Sequence, residues 1–150
     1  MNATQTSASE IQPTLGLESY DDPPSARSTI LVVEDEAFVR EAACEILEGS
    51  GYQVLRASNA LEAQAAFRHR SGSVHLLLSD VVLPDQNGPA LAKHLKAARP
   101  ELKTIFISGY PEYTVTKYGV MAGQLSYLPK PFSAESLLGK VRQVLESAQE

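Results

Sequence analysis

The chain has 150 residues, 43% of them hydrophobic, which supports one compact domain with a core of its own. Its 13 basic and 18 acidic side chains leave a net charge of -5, which argues against nonspecific binding to DNA or to an anionic membrane. A single cysteine, Cys44, excludes an internal disulfide and a thiolate metal cluster, and no apolar run reaches the ~20 residues of a membrane helix.

The N-terminus lacks the basic residues and apolar stretch of a signal peptide, so a cytoplasmic location is expected. Residues 1–27 are rich in Ser, Thr, Gln, Pro and acids and cannot bury enough apolar area to order themselves. A disordered leader or linker is therefore expected, with a docked stretch around Leu15, Leu17 and Tyr20 as the alternative. The folded domain is expected over 28–148. It opens with a strand over 29–33 and a helix over 36–48, on which Phe38, Ala42, Cys44, Ile46 and Leu47 form an apolar face. Cys44 lies in that pattern and reads as a buried structural thiol. Gly49-Ser50-Gly51 stops the helix. A second strand spans 52–57, and Asn59 caps a helix to about 69 that packs Leu61, Ala65, Ala66 and Phe67 inward. The third strand covers 76–79, and a loop with Pro84, Asn87 and Gly88 follows. Pro89 suits the first turn of the next helix, whose Leu91, Ala92 and Leu95 face the core and which Arg99-Pro100 ends.

The fourth strand spans 102–107 and the fifth 126–129. Between them, Tyr113, Thr114, Val115, Thr116 and Tyr118 form helices poorly and Gly119 and Gly123 interrupt, so a short or mobile fourth helix is expected over 111–123. Ser133 caps a final helix through Leu137, Leu138, Val141, Val144 and Leu145. The result is an α/β fold: a doubly wound, five-stranded parallel sheet in the order 2-1-3-4-5, a flavodoxin-like three-layer sandwich.

The chemistry sits where the strands end. Apolar runs without alternation mark strands buried on both faces, and here they lead into Glu34-Asp35, Asp80, Ser108 and, after Tyr127-Leu128-Pro129, Lys130. In an open parallel sheet these ends share one crevice, at the switch point between the first and third strands. Crowded carboxylates repel, and a hard divalent cation such as Mg²⁺ relieves the repulsion. Asp80 can then act as a nucleophile toward phosphorus, with Lys130 neutralising phosphoryl charge and the Ser108 hydroxyl donating to a phosphoryl oxygen. Lys130-Pro131 is expected to be cis and to aim the lysine inward.

The pattern Val32-Val33-Glu34-Asp35-Glu36, Asp80-Val81-Val82-Leu83-Pro84 with Asn87-Gly88, Ser108-Gly109-Tyr110 and Lys130-Pro131-Phe132 resembles the receiver domain of two-component response regulators, over about 29–148. The resemblance implies Asp80 as phosphoacceptor, Asp35 as a direct Mg²⁺ ligand, Glu34 as a ligand directly or through water, and Val82 as a ligand through its carbonyl. It implies Ser108 as switch hydroxyl, Lys130 as phosphoryl-binding lysine, and Tyr127 as an aromatic switch that turns inward on phosphorylation. The surface of the fourth helix, fifth strand and last helix would change with it. Implied partners are a histidine kinase or histidine phosphotransfer protein and a downstream protein target, without nucleic acid or membrane insertion; a homodimer on phosphorylation stays open. Such a chain is not an enzyme in the usual sense but a phosphoacceptor that assists its own phosphotransfer and dephosphorylation.

Glu34 replaces the commoner aspartate of that pattern, and Ser108 stands where threonine is frequent. The Ser-Gly-Tyr run and the glycine-interrupted segment before Gln124 look more like receivers of hybrid sensor histidine kinases. Only 145–150 follow Val144, so no DNA-binding output domain is expected, and the reading is a stand-alone regulator or a receiver of a hybrid kinase. Two other classes stay open: a non-phosphorylated pseudo-receiver acting as a binding module, and an aspartate-nucleophile phosphatase. The phosphatase needs an acid two residues after the nucleophile, where this chain has Val82. No Gly-rich phosphate loop follows the first strand, which disfavours nucleotide binding. His69, His75 and His94 are scattered without ligand spacing.

Overall fold

Five runs of aliphatic and β-branched residues become strands: β1 (Thr29–Val33), β2 (Gln53–Ala57), β3 (Leu76–Asp80), β4 (Lys103–Ser108) and β5 (Tyr127–Pro129). The computed structural model describes residues 28–70, 73–109 and 127–147. The expectations for the leader 1–27 and for the segment 111–123 lie outside the described residues. All four strand pairings are parallel, in the order β2-β1-β3-β4-β5, as the sequence predicts. Among the described residues, the helices are α1 (Ala37–Gly49), α2 (Ala60–His69), α3 (Gly88–Ala98) and the final helix, here α4 (Ala134–Glu146).

The central strands β1 and β3 are buried on both faces, which is why they read as largely apolar runs. Along β1, Ile30 and Val32 pack toward the cluster that holds Ala43, Cys44 and Leu47 of α1 and Leu137, Val141 and Val144 of α4. Leu31 and Val33 pack into the cluster of Ala63 and Phe67 from α2 and Leu91 and Leu95 from α3. Each aliphatic side chain so buried contributes roughly 1.5–3 kcal/mol.

Local signals set the helix ends. The Asn59 side chain accepts the Glu62 N–H at 2.8 Å, and Ser133 and Ser136 cap each other reciprocally at the start of α4. Gly51, at φ 98°, turns the chain out of α1 in the left-handed region that only glycine occupies without strain. At the start of β4, the Lys103 ammonium caps the end of α4, donating to the carbonyls of Val144 at 3.2 Å, Leu145 at 3.4 Å and Ser147.

Two expected core residues are not in the core. Phe38 is 86% exposed and Leu61 70% exposed. Both sit in the first turn of their helices, off the stripe that the buried Ala43, Cys44 and Leu47 of α1, and Ala60, Ala63 and Phe67 of α2, turn to the sheet. The Phe38 ring instead lines an apolar cavity of about 410 Å³ with Val39, Ala42, Lys130, Pro131 and Phe132. The Lys130–Pro131 peptide is cis, as expected.

Cys44 is fully buried, and that burial pushes its thiol from the ordinary 9.0 up to about 11. The folded state therefore holds this proton more tightly than the unfolded chain, so the thiol's contribution to stability is lost as pH rises from 9.0 to about 11. Iodoacetamide is expected to label Cys44 only after denaturation, and Cys44→Ala is expected to flatten the alkaline fall in the urea midpoint. Rapid labelling of the folded protein, read by intact mass, would contradict this burial.

Candidate functional site

The register of the sheet levels the ends of its central strands. Val33 of β1 pairs with Ser79, Asp80 of β3 with Ile107, and Ser108 of β4 with Pro129 of β5. The residues just past β1, at the end of β3, at the end of β4 and just past β5 therefore face one crevice. Those residues are Glu34 and Asp35, Asp80, Ser108 and Lys130.

Lys130 holds the centre. Its Nζ lies 2.9 Å from Asp80 Oδ2, to which it donates a hydrogen bond, and 2.9 Å from Glu34 Oε1. The second contact is a close ion pair on a buried carboxylate oxygen. Its partner oxygen Oε2 accepts the Glu36 N–H at 3.0 Å. The Glu34 side chain is 1% exposed, that of Asp80 12% and that of Lys130 23%. Burial pushes the Glu34 carboxyl up to about 7; the Glu36 N–H and the Lys130 ammonium pull it down, and neighbouring Asp80 pushes it further up. For Lys130, burial favours the neutral amine, but the Asp80 and Glu34 carboxylates outweigh it and raise the pKa.

Asp35 is exposed and completes an acidic group. One oxygen from each of Glu34, Asp35 and Asp80 can be chosen so that all lie within 4.8 Å of one another. Three carboxyl groups face one ammonium, a donor set of hard oxygens with more acid than the lysine offsets. That combination fits Mg²⁺, which takes oxygen ligands and retains several waters.

Ser108 is buried, and its carbonyl accepts both the Lys130 N–H at 2.9 Å and the Tyr127 hydroxyl at 3.1 Å. Tyr127 is half-buried against the core beneath α2 and α3, and this desolvation raises its phenol pKa above the ordinary value. Val82 is 53% exposed, on the loop that follows Asp80. Gly88 closes that loop: its N–H donates to the Val81 carbonyl at 2.7 Å, and a Cβ here would meet the Asp80 carbonyl oxygen at 2.3 Å and Ser79 Oγ at 3.0 Å. Sequence reasoning placed Gly88 in a loop and did not foresee this close approach. It also missed Asp85, whose carboxylate accepts from the first two amides of α2. Of the three histidines, His75 accepts the Thr29 N–H on Nδ1 at 3.0 Å, at the opposite end of β1 from the acids.

Residues 30–142 match the response regulator receiver domain family. The chain is 37% identical over 122 residues to the sensor kinase CckA of Brucella abortus (strain 2308), covering 81% of this chain and 13% of that protein. It is 36% identical over 121 residues to the phosphate regulon transcriptional regulatory protein PhoB of Pseudomonas aeruginosa, covering 78% of this chain and 51% of the relative. Among solved structures, the receiver domain of the hybrid histidine kinase CckA superposes with a TM-score of 0.67 at 36% identity, covering 79% of this chain and all (100%) of that one. A CheY-like receiver from Methanospirillum hungatei JF-1 superposes with a TM-score of 0.67 at 32% identity, covering 79% of this chain and 94% of the other. The chain thus spans about half of one of these curated relatives and 13% of the other, and nearly all of each receiver structure.

Gly88→Ala is expected to cost about 1–3 kcal/mol, because the new methyl group overlaps the Asp80 backbone and cannot be relieved by a rotamer change; a urea midpoint equal to wild type would show that the loop gives way freely. In metal-free buffer, Lys130→Met leaves Glu34 beside Asp80 without a counter-ion and raises the Glu34 pKa beyond about 7. A carboxyl with a raised folded pKa binds more protons folded than unfolded, so stability falls as pH climbs from 4.5 through 7. The destabilisation by Lys130→Met is therefore expected to be larger above pH 7 than below 4.5, as urea denaturation at the two extremes would measure.

Proposed function

The chain belongs to the response regulator receiver family, a family of signalling domains, and from that premise we propose that Asp80 accepts a phosphoryl group from the phosphohistidine of a histidine kinase or phosphotransfer protein. The observation that carries this reading is the Lys130 ammonium at 2.9 Å from Asp80, beside the acidic group of Glu34 and Asp35. An Asp80 carboxylate oxygen attacks phosphorus, the phosphorus–nitrogen bond breaks, and the imidazole leaves with the bonding pair and is then protonated. The product is an aspartyl phosphate.

Each neighbour has a part set by its chemistry. Lys130 shifts its ammonium from the free carboxylate to the phosphoryl oxygens, where charge accumulates. The Ser108 hydroxyl donates to one of them. Glu34, Asp35, Asp80 and the Val82 carbonyl would hold Mg²⁺, which when bound supplies positive charge to the transferring group. Tyr127, half-buried with its hydroxyl on the Ser108 carbonyl, would turn inward as Ser108 is drawn to the phosphoryl group, changing the surface around β5 and α4 that a downstream protein reads. The apolar cavity at Phe38 and Phe132 adjoins Lys130 and offers the donor protein a surface beside the site. Residues 28–148 form the receiver unit, and 1–27 serve as leader or linker. A cytoplasmic location belongs to the same proposal; among the described residues, no helix is long and apolar enough to cross a membrane.

The test is intact mass after incubation with acetyl phosphate, with and without Mg²⁺. A Mg²⁺-dependent gain of one phosphoryl group, labile to hydroxylamine and absent in Asp80→Asn, is the expected result. Asp80→Asn changes little volume and should leave the fold intact, so labelling of that variant at wild-type stoichiometry would assign the acceptor elsewhere. A pseudo-receiver would show no gain and would also fail to bind beryllofluoride, the stable mimic of the acyl phosphate.

A further inference from the structure

The loop over 81–87 carries the Val82 carbonyl between Asp80 and α3, and the structure holds it in three ways. At its base, the Val81 N–H donates to the Ile107 carbonyl at 3.0 Å, and Val82 and Asn87 form an antiparallel bridge that folds the loop back on itself. In its middle, Leu83 is 7% exposed and buried among the side chains beneath α2 and α3. At its tip, Asp85 reaches across to α2. There Oδ1 accepts the Ala60 N–H at 2.9 Å and Oδ2 accepts the Leu61 N–H at 2.9 Å.

The Asp85 contact is more than a helix cap. The first amides of a helix lack partners within it and carry partial positive charge, so an anion across them is favourable. However, α2 already has its own cap, Asn59 Oδ1 on the Glu62 N–H at 2.8 Å, reinforced by Glu62 on the Ser58 N–H at 2.8 Å. Asp85 comes from a loop 25 residues further along the chain than Ala60, and its bidentate grip ties that loop to α2. Val82 provides no such anchor through its own side chain, which is 53% exposed. The hydrogen bond from Ala60 first among these contacts holds the Asp85 carboxyl below its usual range, so the tie is charged at neutral pH.

We propose that Asp85 is a positioning residue for the metal: by fixing the loop tip on α2, it holds the Val82 carbonyl ready beside Glu34, Asp35 and Asp80. The inference rests on the Mg²⁺ reading above.

Its test is a Mg²⁺ titration of the full chain, followed through the amide shifts of Glu34, Asp35, Asp80 and Val81 in ¹⁵N–¹H spectra. Asp85→Ala is expected to weaken Mg²⁺ binding roughly 10-fold, the scale on which groups that orient metal ligands act. Asp85→Asn, which keeps one acceptor oxygen, should fall between that variant and wild type. Asn59→Ala removes the other cap of the same helix end, so it should lower the urea midpoint and leave Mg²⁺ affinity unchanged. Wild-type affinity in Asp85→Ala would overturn the proposal, as would an equal loss in Asn59→Ala, which would trace the effect to helix stability. If the wild-type amides fail to respond to Mg²⁺ at all, the metal reading itself falls and takes the proposal with it; a response lost in Asp35→Asn but kept in Asp85→Ala overturns the proposal alone.

Discussion

One ammonium between two carboxylates sets the terms for the rest of this molecule. Lys130 lies 2.9 Å from both Glu34 and Asp80, in a pocket where the Glu34 side chain is 1% exposed. Removing such charges from water is costly, and attraction offsets the cost only where the geometry is close. Three separate strands must therefore end at the same level, because a shift of one residue would turn each side chain to the opposite face. The pairings Val33 with Ser79 and Asp80 with Ile107 supply that level. The compensation is incomplete: with Asp35 included, three carboxyl groups face one ammonium, an excess of acid that a divalent cation would relieve.

The core makes this arrangement affordable. The sheet buries Ile30 and Val32 against α1 and α4 and Leu31 and Val33 against α2 and α3, so the strand ends are fixed by packing on both sides. The loops beyond them are free to carry polar groups without having to hold the fold together. Gly88 shows how tightly the two tasks meet. Its α-carbon passes so near the Asp80 carbonyl that a methyl group would sit at 2.3 Å, and this contact brings the start of α3 hard against the acid that the site depends on.

Legibility in the sequence followed the range of the interaction. The strand-end acids and lysine and the caps at Asn59 and Ser133 rest on patterns spanning a few residues, strand order on the regular alternation of strands and helices, and all of these could be read. Phe38 and Leu61 could not be placed from their hydrophobicity alone. Both lie in a first turn, off the stripe set by the later residues Ala43, Cys44 and Leu47 in α1 and by Ala60, Ala63 and Phe67 in α2. Which side of a helix faces the sheet is decided by its densest apolar stripe, and a single large residue outside it remains in water. Asp85 left no local trace at all, since its partners Ala60 and Leu61 are brought to it only by the packing of α2 beside the loop. The positions of Glu34 and Lys130 were legible as charges at strand ends, whereas the 2.9 Å contact between them emerged only from the geometry.

The same reasoning connects the site to its surroundings. The Ser108 carbonyl accepts two donors from β5 and the residue after it, the Tyr127 hydroxyl at 3.1 Å and the Lys130 N–H at 2.9 Å. Under the proposed reading, a phosphoryl group on Asp80 draws the Ser108 hydroxyl and the Lys130 ammonium together. Both pulls act on one peptide group, because the carbonyl of Ser108 is also what holds the Lys130 backbone. If the Ser108 backbone moved with its hydroxyl, the phenol would either follow the carbonyl or lose its hydrogen bond to it. Either change would alter how the half-buried ring packs against the core beneath α2 and α3. The coupling needs no long chain of contacts, since one carbonyl oxygen joins the acceptor chemistry to the surface that would report it.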